Sequence, residues 1–440
     1  MTQTPDLSRR TLIGGAAGLA VATIAPAACA APKAAKPLPK GFLWGTATAA
    51  HQIEGNNVNS DFWLAENVKP TLFQEPSLDA CDAYHRYAED IALAAKLGFN
   101  THRFGIEWAR IEPEPGRFSI AELDHYRNVL EACHAHGLAP VVTYSHWTVP
   151  RWFAAMGGFE HPDSPALFGR FADRLTRHCG DLMHLASTFN EANVARVVQL
   201  RPEAKLFKPL VEKMLAACAK ASGSDRFASV LFADLDKSEA NKVAAHREAV
   251  KAIKAARGAL PVGVTISMTE IQGEGAGNKA AEVEAALYGP WVGEAQTADF
   301  VGVQTYTRLR VGADGLLPPP KGAELTAAGY EFYPEALAAT IRWAATHIKR
   351  PIFVTENGIG TDDDTRRIAY IDRALAGVRA CIVDGIDVRG YIHWSLIDNF
   401  EWVFGYKQRF GLVSVDRTTF KRTPKPSAFH LGAIARAGRI

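Results

Sequence analysis

Two glutamates each close a short apolar run. Glu191 ends Thr188-Phe189-Asn190-Glu191, and Glu356 ends Phe353-Val354-Thr355-Glu356. A carboxylic acid paired with a carboxylate is the minimum set for breaking a glycosidic bond: one protonates the leaving oxygen while the other attacks the anomeric carbon or activates a water. Carboxyl groups about 5–5.5 Å apart give retention and about 6.5–9.5 Å give inversion, a choice that spacing along the chain leaves open. The two roles need different surroundings. Glu191 is expected in a less polar spot, or close to the other anion, where it keeps its proton. Glu356 is expected to be held ionised by donors, with Arg103 and Tyr306 the candidates. A glycosyl ester on Glu356 removes that residue's charge, after which Glu191 ionises more easily and can act as base toward water. An isolated Glu is most often a surface or salt-bridged residue, so the pair gains weight only if the fold brings its members to one opening.

Other polar and aromatic residues gather at the ends of similar runs. They are Gln52; Arg103 with Glu107 and Trp108; His146 and Trp147; Asn190; Gln304 and Tyr306; Asn357; and Trp394, Asp398, Asn399, Glu401 and Trp402. A pyranose offers a ring of hydroxyls and one flatter apolar face. Gln52, His146, Asn190 and Glu401 suit the hydroxyls, with Trp394 beneath the ring and Trp402 at its edge. The chain has nine tryptophans, and for each the plain alternative is a core side chain.

The elements needed to assemble these residues are eight short β-rich runs: Phe42–Thr48, Thr101–Trp108, Pro140–Ser145, Leu185–Asn190, Val262–Met268, Phe300–Tyr306, Ile352–Thr355 and Tyr391–Leu396. Amphipathic stretches lie between them, among them Tyr84–Leu97, Ile120–His136, Leu167–His178, Lys237–Arg257, Pro334–His347 and Thr365–Asp384. This alternation implies parallel strands, and eight of them predict an α/β fold, a single (β/α)8 TIM barrel over residues 41–440. In such a barrel all strand C-terminal ends share one face, where the active site sits. A doubly wound open sheet would want a glycine-rich phosphate turn after the first strand, and Phe42–Thr48 contains no GxGxxG.

Composition agrees with a large globular domain. Of 440 residues, 48% are hydrophobic and the formal net charge is +2, so nothing marks a nucleic-acid partner. Residues 1–30 read as a twin-arginine signal peptide. Ser8-Arg9-Arg10 precedes an apolar run rich in Ala and Gly, and Ala28-Cys29-Ala30 offers a cleavage site. That predicts a periplasmic or secreted protein without a membrane anchor after cleavage; lipidation of Cys29 is the alternative. Residues 31–40 read as a flexible lead-in. Of six cysteines, the five beyond Cys29 are scattered, with no CxxC pair and no histidine spacing suited to zinc. Buried apolar thiols are expected, and no metal.

Taken in order, the motifs resemble glycoside hydrolase family 1, the β-glucosidase family. The resemblance rests on Phe42-Leu43-Trp44-Gly45-Thr46-Ala47-Thr48-Ala49-Ala50-His51-Gln52-Ile53-Glu54-Gly55, Arg103–Pro113, Thr143-Tyr144-Ser145-His146-Trp147, Thr188–Glu191, Val354-Thr355-Glu356-Asn357-Gly358, and Trp394–Trp402 with Arg409-Phe410-Gly411-Leu412. It implies Glu191 as acid/base and Glu356 as nucleophile. It also implies Gln52, His146, Asn190, Glu401 and Trp402 as glycone binders, Trp394 as stacking platform, Arg103 and Tyr306 as supports of the nucleophile, and no cofactor. The substrate implied is a small β-glycoside, most simply a β-glucoside. Members acting on 6-phosphorylated glycosides resemble one another in a Ser, Lys and Tyr set where this chain has Glu401, Gln408 and Phe410, so an unphosphorylated sugar is expected. The chain departs from the pattern at Ala192 (usually Pro), Ala186 (usually Trp) and Gln304 (usually Asn), and after Asn193, where a Gly-Tyr-rich loop is missing. A more open aglycone side follows as an expectation. A transglycosylase using the same glycosyl-enzyme with an alcohol acceptor, and a non-catalytic sugar-binding barrel, are the competing readings. An aldolase or metal-dependent barrel would need a Schiff-base lysine at a strand end or a metal cluster.

Overall fold

A computed structural model describes residues 37–440. The signal-peptide reading, Cys29 and the first part of the lead-in lie outside the described residues. Eight parallel strands close into a barrel: β1 (Leu43–Ala47), β2 (Thr101–Gly105), β3 (Ala139–Ser145), β4 (Leu185–Phe189), β5 (Val262–Ser267), β6 (Phe300–Gln304), β7 (Ile352–Glu356) and β8 (Val388–Trp394). They lie in chain order, and β1 pairs with both β2 and β8 to complete the ring. Helices connect them, which is the (β/α)8 arrangement expected.

The strands are short, largely apolar and almost wholly buried, as parallel strands covered on both faces must be. One face of each fills the barrel. Leu43, Ala47, Val141, Leu185, Phe300, Phe353 and Ile392 form one interior cluster. Phe300 fits there because Gly263 stands beside it on β5: a Cβ on that glycine would lie 2.4 Å from the ring. Above this plug the interior turns polar, with Arg103, Thr143, Ser187, Thr265 and Gln304 all buried. The other strand faces pack on the helices and form the larger core. The pairing of β4 with β5 is the thinnest in the ring, joining only Ala186 to Val262 and Ser187 to Gly263. Further up, the Thr265 side chain bridges the gap, its hydroxyl donating to the carbonyl of Phe189 at 2.9 Å.

The element edges differ from the expected ones for local reasons. β2 stops at Gly105 because Glu107 caps a short helix, Trp108–Ile111, its carboxylate accepting from the Ala109 N–H. Trp108 is therefore a helix-layer side chain, packed against Trp152, Phe153, Phe168 and Phe171 rather than lining the opening. β8 begins at Val388, earlier than expected, since the exposed Arg389 interrupts its apolar run. Helices also form at Pro202–Ala221 and Ala280–Thr297 despite internal Pro209 and Pro290. The stretch after Asn193 is helical as well, Val194–Leu200 leading directly into Pro202–Ala221. Among the described residues no helix is long and apolar enough to cross a membrane. The five cysteines among the described residues, Cys81, Cys133, Cys179, Cys218 and Cys381, are buried free thiols, and burial pushes their pKa values up to about 11 or 12.

Candidate active site

The C-terminal ends of all eight strands contribute to one opening. Glu356 is the last residue of β7 and is 3% exposed. Its two oxygens are each taken: Arg103 Nη1 donates to Oε1 at 2.6 Å, and the Tyr306 hydroxyl donates to Oε2 at 2.6 Å. Arg103 sits mid-strand in β2, not at its end, and its guanidinium is buried across the barrel interior. Besides Glu356 it donates to Thr143 Oγ1 on β3, the carbonyl of Thr355 on β7 and Asn190 Oδ1 beyond β4. Tyr306 stands two residues past β6 and is braced edge-on by Phe410.

Glu191 is held differently. Its backbone has φ +42°, a left-handed conformation that costs a residue with a Cβ roughly 1–3 kcal/mol and persists only where neighbours enforce it. Its N–H donates to Thr265 Oγ1 and to Gln304 Oε1, both at 3.1 Å. Gln304 Nε2 in turn donates to Asn190 Oδ1 at 2.7 Å. The glutamine at this place thus ties the two residues Asn190 and Glu191 together. The Asn193 side chain donates to the carbonyls of Ser267 and Leu287 and accepts from the Ser267 N–H.

Burial raises both carboxyls, but the two settings oppose that rise to different extents. Burial, and then the charge of Glu356, push Glu191 up to about 8, with Ser267, Arg103 and Arg201 pulling back. Burial raises Glu356 too, but Arg103 and Tyr306 oppose it there. The first proton to leave this interacting pair therefore comes from Glu356. A third carboxyl, Glu401, follows β8 on a loop. Burial and the fields of Glu356 and Glu191 push it up to about 8, against the pull of Gln52.

The remaining residues complete one wall. Gln52, on the short helix after β1, donates through Nε2 to the Phe400 carbonyl at 2.7 Å, Asn399 Oδ1 at 3.1 Å and Glu401 Oε2 at 3.2 Å. Asn190 Nδ2 donates to His146 Nε2 at 3.0 Å, so that nitrogen is the bare one; burial, helped by Arg103, keeps the ring neutral. His146 stacks on Trp394 at 5.5 Å and on Trp402 at 5.9 Å, and Trp147 packs on Trp402 at 4.7 Å. Trp147 and Trp402 also have positive φ, +71° and +52°. Gln52 Oε1 and His146 Nδ1 are buried without a protein partner, leaving one acceptor and one donor for hydroxyl groups. All ten residues singled out from the sequence are thus joined in one constellation. Trp147 and Gln304 were noted at strand ends but given no role, whereas Thr265 as an anchor and the buried Tyr330 hydroxyl, which lies in the field of Glu401, were not noted in the sequence. Tyr330 comes from a long irregular segment with no periodic pattern to flag it. Among the described residues no cluster of three or more His, Cys, Asp or Glu is arranged to hold a metal.

A closed eight-stranded barrel with buried carboxyls at its C-terminal face is an architecture shared by many hydrolases, and the comparisons identify the class: the chain is a glycoside hydrolase. Residues 34–288 and 295–439 match the model of "Glycosyl hydrolase family 1", and the chain belongs to that family. It is 29% identical to thermostable β-glucosidase B of Thermobispora bispora, with 90% of each chain covered. It is 28% identical to β-glucosidase A of Thermotoga maritima, covering 90% of this chain and 96% of that one. Among solved structures it resembles β-glucosidase 1317 (51% identity, TM-score 0.89, 91% and 99% covered) and the β-glycosidase BGL167 (48%, 0.88, 92% and 98%). The Thermotoga maritima β-glucosidase (26%, 0.81, 92% and 100%) has been solved with cyclophellitol, and further structures of it hold noeuromycin and glucoimidazole.

Proposed function

We propose that the chain is a retaining exo-β-glucosidase that hydrolyses unphosphorylated β-glycosides by double displacement, with Glu356 as nucleophile and Glu191 as acid/base. The observation that supports this is the unequal treatment of two buried carboxyls that interact electrostatically, one gripped by a guanidinium and a phenol, the other desolvated in its field.

In the first step a Glu356 oxygen attacks the anomeric carbon. The bond to the aglycone oxygen breaks, and that oxygen takes the proton of Glu191. The glycosyl ester carries no charge, so Glu191, now ionised, loses the neighbour that most raised its affinity for protons. It then removes a proton from water as the water attacks the same carbon. The sugar leaves with its β configuration, Glu356 is again a carboxylate and Glu191 again an acid. Gln52, His146, Asn190, Glu401 and Trp402 hold the glycone hydroxyls, and Trp394 presents the apolar platform.

Specificity for a free 6-hydroxyl follows from what surrounds Glu401. Three carboxyls share the opening, Arg103 is committed to Glu356, and the Gln408 side chain donates to the Ala327 carbonyl at 3.0 Å. A phosphate beside Glu401 would meet acids, and among the described residues no cation is among the groups acting on Glu401; Arg201 acts on Glu191 and Tyr330 instead. The helical, loop-poor region after Asn193 supports a wide aglycone side able to take bulky aglycones. Residues 1–30 are proposed to export the enzyme, folded, through the twin-arginine route.

A panel of nitrophenyl β-glycosides tests the activity, with Glu356→Gly as the partner experiment: azide or formate should restore its turnover and give the inverted product. Absence of turnover on every β-glycoside would leave the sugar-binding barrel. Preference for a 6-phosphoglucoside over the plain glucoside refutes the glycone assignment. Retention of the Arg9→Lys, Arg10→Lys double variant in the cytoplasm, with the wild type exported, tests the leader.

A further inference from the structure

The helix Leu235–Ala256 carries several lysines, and one is unlike the rest. The side chains of Lys237 and Lys251 are 67% and 77% exposed, whereas Lys242 is 5% exposed. No carboxylate lies within ion-pair distance of it among the described residues. Glu239, the nearest acid in its field, is engaged by the Arg196 guanidinium. An ammonium buried without a counter-ion is unfavourable unless other groups replace its water. Here Nζ lies over the rings of Phe189, at 5.6 Å, and Trp291, at 5.9 Å, and donates to one oxygen at 2.8 Å.

That oxygen is the carbonyl of Ala192, the residue after Glu191. The turn from Asn190 to Asn193 has no ladder of its own. From the barrel side it is pinned by Thr265, which accepts the Glu191 N–H on its hydroxyl and the Ala192 N–H on its carbonyl, and by Gln304. Lys242 is the matching grip from the helix side. Ala192 stands where the resemblance leads one to expect a proline, so the turn lacks a ring that would fix its backbone. With Glu191 at positive φ, release of the Ala192 peptide would let the strained residue relax and swing its carboxyl.

We propose that Lys242 is a positioning residue for the acid/base: its buried ammonium clasps the Ala192 carbonyl and so holds the turn that aims the Glu191 carboxyl at the leaving oxygen. Lys242 touches neither sugar nor aglycone. The inference rests on the acid/base reading of Glu191.

The test compares wild type, Lys242→Met, Lys242→Gln and Glu191→Ala on β-glucosides whose leaving groups run from 2,4-dinitrophenol to methanol. General acid assistance supplies roughly 10²–10⁴-fold to a poor leaving group and little to one that departs as a stable anion. Lys242→Met, of similar length and uncharged, should lose about tenfold or more in kcat/KM on methyl and phenyl glucosides, yet less than about threefold on the dinitrophenyl compound. Lys242→Gln, able to donate to the same carbonyl, should recover most of the loss. Inhibition by glucose should be unchanged in both. Equal losses on every substrate, or none, overturn the proposal, as does failure of both Lys242 variants to fold, which would make the lysine a structural residue only. If Glu191→Ala shows the leaving-group dependence and Lys242→Met does not, the Lys242 role fails alone. If Glu191→Ala lacks it, the acid/base reading fails and takes the Lys242 role with it.

Discussion

Glu356 and Glu191 close strands with β5 and β6 between them in the ring, and they are fixed by different means. Glu356 is fixed at its carboxyl, by Arg103 and Tyr306, in charge-assisted hydrogen bonds that favour the anion. Glu191 is fixed at its backbone, by Thr265, Gln304 and the peptides on either side, while among the described residues no arginine or tyrosine hydrogen-bonds its carboxyl. A nucleophile has to be one species in one place. An acid/base has to exist in two protonation states, so what must stay constant is where its carboxyl sits and not what it is bonded to. With Glu356 as the proposed nucleophile and Glu191 as the proposed acid/base, the same barrel mouth meets both needs by gripping one residue at the head and the other at the neck.

The most severe way to break the contrast is Glu356→Gly, expected to lower kcat by about 10⁴-fold or more on every leaving group. Glu191→Ala comes next, at roughly 10²–10⁴-fold on poor leaving groups and much less on good ones. It should also abolish the alkaline limb. In the proposed acid role Glu191 must be protonated, so wild-type kcat/KM should fall as pH rises through about 8, and the variant should lose that decline. Tyr306→Phe removes one of the two grips on the anion, and about 10–100-fold in kcat/KM should go with it. Without that donor Glu356 ionises less readily, so the acidic limb should move toward neutral pH.

Stability gives a smaller and separate readout. Glu191 has its folded pKa raised from 4.5 to about 8. Between those values the folded chain keeps a proton that the unfolded chain has released, so this residue's contribution to stability is largest at low pH, declines as pH rises through the window and is flat above it. The Tm difference between Glu191→Gln and wild type should therefore grow from pH 5 to pH 8. A difference independent of pH would contradict the desolvated setting described for Glu191.

Much of this was legible in the chain because the relevant signals are local. Strand runs such as Val262–Ser267 and Phe300–Gln304 are mostly apolar, turning polar toward their C-terminal ends, and most of the candidate site residues lie at or just beyond those ends in sequence as they do in space. The helices with Pro209 and Pro290 were hidden by a residue that usually ends a helix, here tolerated inside a longer packed element. Thr265 and Lys242 were not legible at all. A threonine in a buried strand and a lysine in a charged helix are ordinary in sequence, and only the gap between β4 and β5 and the position of the Ala192 carbonyl give them work. Trp108 shows the reverse case, a strand-end aromatic that packing assigns to the helix layer.

The five cysteine sulfurs carry one last implication. Each is buried, and burial makes it reluctant to become a thiolate, the form that alkylating and oxidising reagents attack. The native enzyme should then keep its full turnover in dithiothreitol and in oxidised glutathione alike, and folding of the barrel should require no oxidant, which suits the proposed export of an already folded chain.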